Sequence, residues 1–188
     1  MKNTMTVLIS VFVLSSCSMM GSMDHSNMNH GDMKMMADVQ KASAVIFATQ
    51  GNNVKGWVSF TAVEGGVRVQ AEVTGLEPNT KHGFHIHQFG DLSSADGTAM
   101  AGHFNPMNME HSDPNNAVRH VGDLGNLVAD ANGKAVIDYV DKVISFHGPA
   151  CILGRGVVVH AKEDDLKTQP TGNAGARIGQ GVIGVVKP

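Results

Sequence analysis

Aromatic side chains are scarce in this sequence: one Trp, one Tyr and seven Phe, against 22 Gly, in 188 residues. A core with so few rings must rest on aliphatic side chains, and so many glycines imply many turns. No stretch keeps up the apolar spacing of a long amphipathic helix, which leaves an all-β domain as the favoured class. A basic excess is missing too. Lys and Arg total 14 against 17 Asp and Glu, so the chain lacks the positive footprint needed to neutralise phosphates, which argues against nucleic acid as a partner. Apolar runs are short, and none has the length of a membrane span. Cysteine is limited to Cys17 and Cys151, too little for a disulfide framework. The length suits one domain with an appendage.

The appendage comes first. MKNTMTVLISVFVLSSC places Lys2 before an apolar run from Val7 to Leu14 and small residues ending at Cys17, the layout of a secretory signal. LSSC further resembles a bacterial lipobox, which implies cleavage before Cys17, lipid attachment to its thiol, export to the periplasm and a membrane anchor. The expected division is a signal peptide over 1–16, a leader over 17–40 and a folded domain over 41–188. The leader carries Met19, Met20, Met23, Met28, Met33, Met35 and Met36 with His25 and His30 among small polar residues. Such a segment cannot build a core and reads as a flexible tether. Its thioethers and imidazoles also suit copper, the thioether favouring Cu(I).

From Ala42 the pattern changes. VRVQAEVTGL sets Val67, Val69, Ala71 and Val73 against Arg68, Gln70, Glu72 and Thr74, the alternation of a strand with one wet face. ADANGKAVIDYV puts Asn132-Gly133 between apolar runs and predicts a tight hairpin. Further strands are expected near 44–49, 56–63, 83–87, 156–160 and 181–186, about eight in all, as in a sandwich or barrel. Two segments, 90–120 and 161–177, do not alternate and are expected as long functional loops.

The histidines gather in one strand, one loop and one strand end. HGFHIHQFGD, residues 82–91, places His85 and His87 two apart on a strand with Phe84 and Ile86 between them, so two imidazoles share one face. His103, His111, His120 and Asp123 follow with seven, eight and two residues between them. That run can offer three nitrogens and one oxygen, a closed tetrahedral zinc set. His85, His87 and His160 offer neutral imidazoles to a second ion, and nitrogen ligation with an open position suits copper.

The motifs GFHIHQFGD, AGHFNP, RHVGDLGN, GRGVVVHAKEDD and GNAGARI occur here in the order of the copper/zinc superoxide dismutases, and the chain resembles that family over 41–188. The resemblance implies an eight-stranded Greek-key β-barrel with two long functional loops, and dismutation of superoxide to oxygen and hydrogen peroxide. It implies copper on His85, His87, His103 and His160, zinc on His103, His111, His120 and Asp123, and His103 as a bridge that releases copper and takes up a proton on reduction. Arg177 would be the channel arginine that attracts the anion. Asp164 would link ligand histidines of the two sites, with Asp165 its adjacent competitor. His82 would be structural, and His147 a surface residue. GPACILGR and GVIGVVKP resemble segments of the family's dimer interface and imply a possible homodimer.

The chain also departs from that pattern. The family's disulfide cysteines would fall near Gly97 and at Gln180, and neither is present, so no internal disulfide is expected. Losing such a bond costs about 2–5 kcal/mol in a small exported domain, which implies a greater dependence on bound metal. LKTQPT, after Asp165, is shorter than the common eukaryotic loop and keeps only Lys167 as a counterpart of its steering charges. Two rival readings stand beside the enzyme. One is a copper-binding or delivery protein whose leader is the active part; the other is a structural metal domain with zinc in both sites.

Overall fold

The computed structural model describes residues 39–187; the expected signal peptide, Cys17 and the methionine-rich leader up to residue 38 lie outside them. Strands β1 (Lys41–Ala48), β2 (Lys55–Val63), β3 (Gly66–Thr74), β4 (Lys81–His87), β5 (Asp123–Val128), β6 (Ala135–Asp141), β7 (Gly156–His160) and β8 (Arg177–Val182) form one antiparallel sheet. Their order is β5-β4-β7-β8-β1-β2-β3-β6, and a two-residue β9 (Gly184–Val185) pairs with β1. β3 pairs with β6 rather than β4, and β5 pairs with β4 rather than β6, so the chain crosses over in Greek-key fashion. The sheet curls into a nearly closed barrel. The Tyr139 hydroxyl of β6 donates to the Leu124 carbonyl of β5 at 3.3 Å across the seam between the two end strands.

Alternation explains the strands. In β3, Val67, Val69, Ala71 and Val73 are buried while the residues between them face outward, as expected from the pattern. Phe60, Phe84, Ile46, Ile86, Leu127, Val58 and Val69 are fully buried inside the barrel. Each such side chain contributes roughly 1.5–3 kcal/mol on leaving water. A second tie is ionic. Arg119 meets Asp141 of β6 at 2.5 Å, both side chains fully buried, and its Nη1 also donates to the carbonyls of His120 and Asp123. Asp141 Oδ1 in turn accepts from the backbone N–H of Val143 and Ile144, so the pair has no free polar edge.

Two local expectations need correction. Asn132-Gly133 does turn the chain, with Gly133 at φ 72° and its N–H on the Asp130 carbonyl, but it closes no hairpin. The flanking strands β5 and β6 pair with different partners at the two ends of the sheet, and Leu76 caps the turn by donating to the Gly133 carbonyl. The sequence pattern puts the last strand at 181–186 and leaves 177 in a loop; instead β8 begins at Arg177 and ends at Val182. RIGQGV has weak strand propensity, yet the glycines allow close packing between β7 and β1: a Cβ on Gly181 would lie 2.3 Å from the Val45 carbonyl oxygen.

Candidate metal centre

Three backbone hydrogen bonds gather the histidines. Phe104 N–H donates to the Ile86 carbonyl (2.8 Å), Ile86 N–H to the Gly122 carbonyl (2.9 Å), and Gly122 N–H to the Phe104 carbonyl (2.9 Å). This triangle sets His85 and His87 of β4 beside His103 and beside His120 and Asp123. Only glycine fits its third corner, because a Cβ on Gly122 would sit 2.1 Å from the Ile86 oxygen. β7, paired antiparallel with β4, brings His160 beside them, its ring centroid 4.9 Å from that of His85 and 5.4 Å from that of His87.

Two groups result, and every member is buried: His85, His87, His103 and His160 in one, and His103, His111, His120 and Asp123 in the other. Within each, the potential ligand atoms lie within 4.8 Å of one another. In the first group each ring has one nitrogen fixed and one aimed at the common space. His85 Nε2 bonds Asp164 at 2.7 Å, His87 Nδ1 bonds the Ala101 carbonyl at 2.8 Å, and His160 Nδ1 bonds the Gly175 carbonyl at 3.1 Å. That leaves His85 Nδ1 and His103 Nε2 buried without a partner among the described residues, and His87 Nε2 at 3.3 Å from His160 Nε2.

The second group converges on one oxygen. Asp123 Oδ1 lies 2.9 Å from His103 Nδ1, 2.9 Å from His111 Nδ1 and 3.2 Å from His120 Nδ1. Asp123 Oδ2 is occupied separately by the N–H groups of Ser112 and His120. Among the described residues His103 alone belongs to both groups, one ring nitrogen facing each. Asp164, not the exposed Asp165, joins the two from outside: it takes His85 Nε2 on one oxygen and His111 Nε2 (2.9 Å) on the other. Asn126 clamps the Asp164 backbone, donating to its carbonyl and accepting from its N–H.

Burial holds His85 down to about 3 and His160 to about 4, and carries His87 and His103 below the ordinary imidazole value, so their free nitrogens keep a lone pair at neutral pH. Burial also opposes charge on His111, but its hydrogen bonds to Asp123 and Asp164 outweigh this and raise it to about 9. The same kind of bonds holds both carboxylates well below their usual range in spite of burial.

Arg177 opens β8 half-buried, its guanidinium donating to the carbonyls of Gly97 and Ala101. The Ala101 carbonyl is also the one that fixes His87, which couples the arginine to the first group. Arg177 lines a cleft of about 380 Å³ with Thr49, Gln50, Asn52, Asp96 and Thr98. Gly97 and Gln180, the two positions without the expected cysteines, are neighbours, since a Cβ on Gly97 would lie 3.2 Å from Gln180 Oε1. Among the described residues Cys151 has no disulfide partner, His82 is buried on β4 with its ring on the His160 carbonyl, and His147 is exposed.

Sequence reasoning did not find Arg119, Asp141, Asn126, Gly122 or Gln169. Arg119, Gly122 and Asn126 stand inside the RHVGDLGN stretch and offered a positional hint. Asp141 and Gln169 act from distant segments and carried no signal.

Comparison with known proteins gives the same picture. The family model for copper/zinc superoxide dismutase matches residues 54–183. A superoxide dismutase [Cu-Zn] of Paramecium bursaria Chlorella virus 1 is 45% identical over 156 residues, covering 80% of this chain and 82% of the relative. An extracellular superoxide dismutase [Cu-Zn] of Brugia pahangi is 40% identical over 171 residues, covering 86% and 84% respectively. Among solved structures, that of the clock protein EA4 is similar with a TM-score of 0.71 and 45% identity, covering 78% of this chain and 95% of its own.

Proposed function

Because the chain belongs to the copper/zinc superoxide dismutase family, we propose that it converts two superoxide anions and two protons into oxygen and hydrogen peroxide, with copper in the four-histidine group and zinc in the group completed by Asp123. The donors fit both ions. Four imidazole nitrogens meet in a buried space where two of them have no other partner, a set that suits copper. Three nitrogens and a carboxylate oxygen suit tetrahedral zinc. When bound, copper supplies the one-electron couple that alternately oxidises and reduces superoxide, and zinc a fixed, redox-inert charge.

His103 is the residue that carries this reading, since a single buried ring presents Nδ1 to one group and Nε2 to the other. Nε2 is the atom at which a proton can be held and passed to the departing peroxide. Asp164 keeps His85 protonated at Nε2, and so keeps Nδ1 free as a donor. Arg177, always charged, attracts and orients the anion at the mouth of the site. A copper-delivery role without turnover is less favoured, because all four histidines and Arg177 are in place. The test is superoxide consumption by the copper- and zinc-loaded chain beside its His85→Ala variant. Rapid consumption lost in the variant is expected, and equal rates in both would reject the assignment.

Residues 41–188 form the dismutase domain, and the chain is exported, in keeping with the extracellular form among its relatives. Cleavage before Cys17 and lipidation of its thiol would hold it at a membrane of the periplasm, with residues 17–40 as a copper-gathering tether. Mass spectrometry of the mature N-terminus tests this; an unmodified Cys17 would contradict it. A second copy of the chain is the natural cover for an outward face on β1 and β2, where Val45 is 65% exposed opposite Trp57 and Phe47 lies along the same side.

A further inference from the structure

Between residues 106 and 118 His111 is the one buried residue. His103 and His120 are flanked by the buried Phe104 and by Arg119 and Val121, which anchor them in the barrel end. His111 has no such neighbour on its own segment, so something else must hold it. It has four polar atoms: Nδ1 faces Asp123, and the segment from 161 to 176 takes the other three. Nε2 pairs with Asp164 Oδ1 at 2.9 Å. The backbone N–H donates to Gln169 Oε1 at 2.8 Å, and the backbone carbonyl accepts from Gln169 Nε2 at 2.9 Å. Gln169 Nε2 also reaches the Lys167 carbonyl at 3.3 Å, which steadies the carboxamide. The loop is packed tightly beneath the ring, since a Cβ on Gly172 would lie 2.7 Å from His111 Nε2.

We propose that Gln169 is a positioning residue for the zinc site, its carboxamide clamping both main-chain groups of His111 and so setting how fast the site releases its ion. The short loop after Asp165 thereby gains a holding function. This rests on the reading of His111 as a zinc ligand. Thr168 provides the contrast: its hydroxyl and N–H bond Asp165 and its carbonyl accepts from Gly172, all inside the loop and none to His111.

The experiment loads the full chain with zinc and follows transfer to a chromophoric chelator for the wild type, Gln169→Ala, Thr168→Ala and His111→Ala, with the visible bands of the Co(II)-substituted proteins and melting curves of the metal-stripped ones. Gln169→Met, of similar length but unable to make either bond, serves if the alanine variant folds poorly. Release about tenfold or more faster is expected for both Gln169 variants, the scale typical of residues that orient metal ligands. Their Co(II) bands should change while metal-stripped melting stays as in the wild type, and Thr168→Ala should release zinc at the wild-type rate. Wild-type release from the Gln169 variants, or equal acceleration by Thr168→Ala, would overturn the proposal. Wild-type release from His111→Ala would instead remove the ligand reading beneath it.

Discussion

Replacing Asp164 by Asn tests how the two metal groups are tied together. The carboxylate accepts from His85 Nε2 at 2.7 Å and from His111 Nε2 at 2.9 Å, with all three side chains fully buried. An Asn side chain keeps one acceptor oxygen but turns the other position into an N–H donor. If that donor faces His85, the imidazole must move its proton to Nδ1, the nitrogen otherwise free for the ion. If it faces His111, the same conflict falls on the second group. Each charge-assisted bond is worth about 1.5–3 kcal/mol, and loss of such an orienting partner weakens metal affinity about 10- to 100-fold. Competition titrations with copper and zinc chelators should therefore show one of the two affinities falling by at least about tenfold in Asp164→Asn, with a smaller change in the other. Affinities for both ions within threefold of the wild type would refute the argument that Asp164 fixes the tautomers.

In the metal-stripped protein, His85 and His160 fall to about 3 and about 4 from 6.5, and His87 is lowered as well. The unfolded chain then binds more protons below pH 6.5, so stability is lost as pH falls, by about 2 kcal/mol each for His85 and His160 at pH 5, with His87 acting in the same direction. His111, raised to about 9, adds stability that is present below 6.5 and lost as pH rises through 9. Denaturant melts should thus show greatest stability near pH 6.5, and a midpoint that climbs from pH 6.5 to 5 would contradict this. Asp141→Ala leaves the fully buried Arg119 charge unpaired and should destabilise the fold by about 3–5 kcal/mol in urea titration. Gly122→Ala forces a methyl against the Ile86 carbonyl and should lower metal stoichiometry by mass spectrometry. Arg177→Ala should slow superoxide removal about tenfold and flatten its dependence on ionic strength. Light scattering should give the mass of two copies for the wild type and a mass nearer one for Val45→Lys, and a single-copy mass for the wild type would contradict the proposed pairing.

The histidine pattern was legible because each signal is local. His85 and His87 stand two apart on a strand, and His103, His111 and His120 follow within one segment that ends at Asp123, the first residue of β5. The alternation of β3 was legible for the same reason. What was not legible depends on topology. Arg119 with Asp141, Asn126 with Asp164, and Gln169 with His111 are separated by 22, 38 and 58 positions, and no periodicity links their partners. Asn132-Gly133 shows the converse limit: the local turn formed, but which strands it joined was settled by pairing elsewhere in the barrel. The start of β8 is hidden in the sequence because its glycines mask a strand that exists through packing on β1 and β7.

The most direct measurement is the yield of hydrogen peroxide and oxygen per superoxide consumed by the copper- and zinc-loaded chain in stopped flow, set against His103→Ala. The account predicts rapid removal with one peroxide and one oxygen for every two superoxide anions, and a marked loss of rate when the ring shared by both groups is removed. One peroxide for every superoxide, or an undiminished rate without His103, would contradict it.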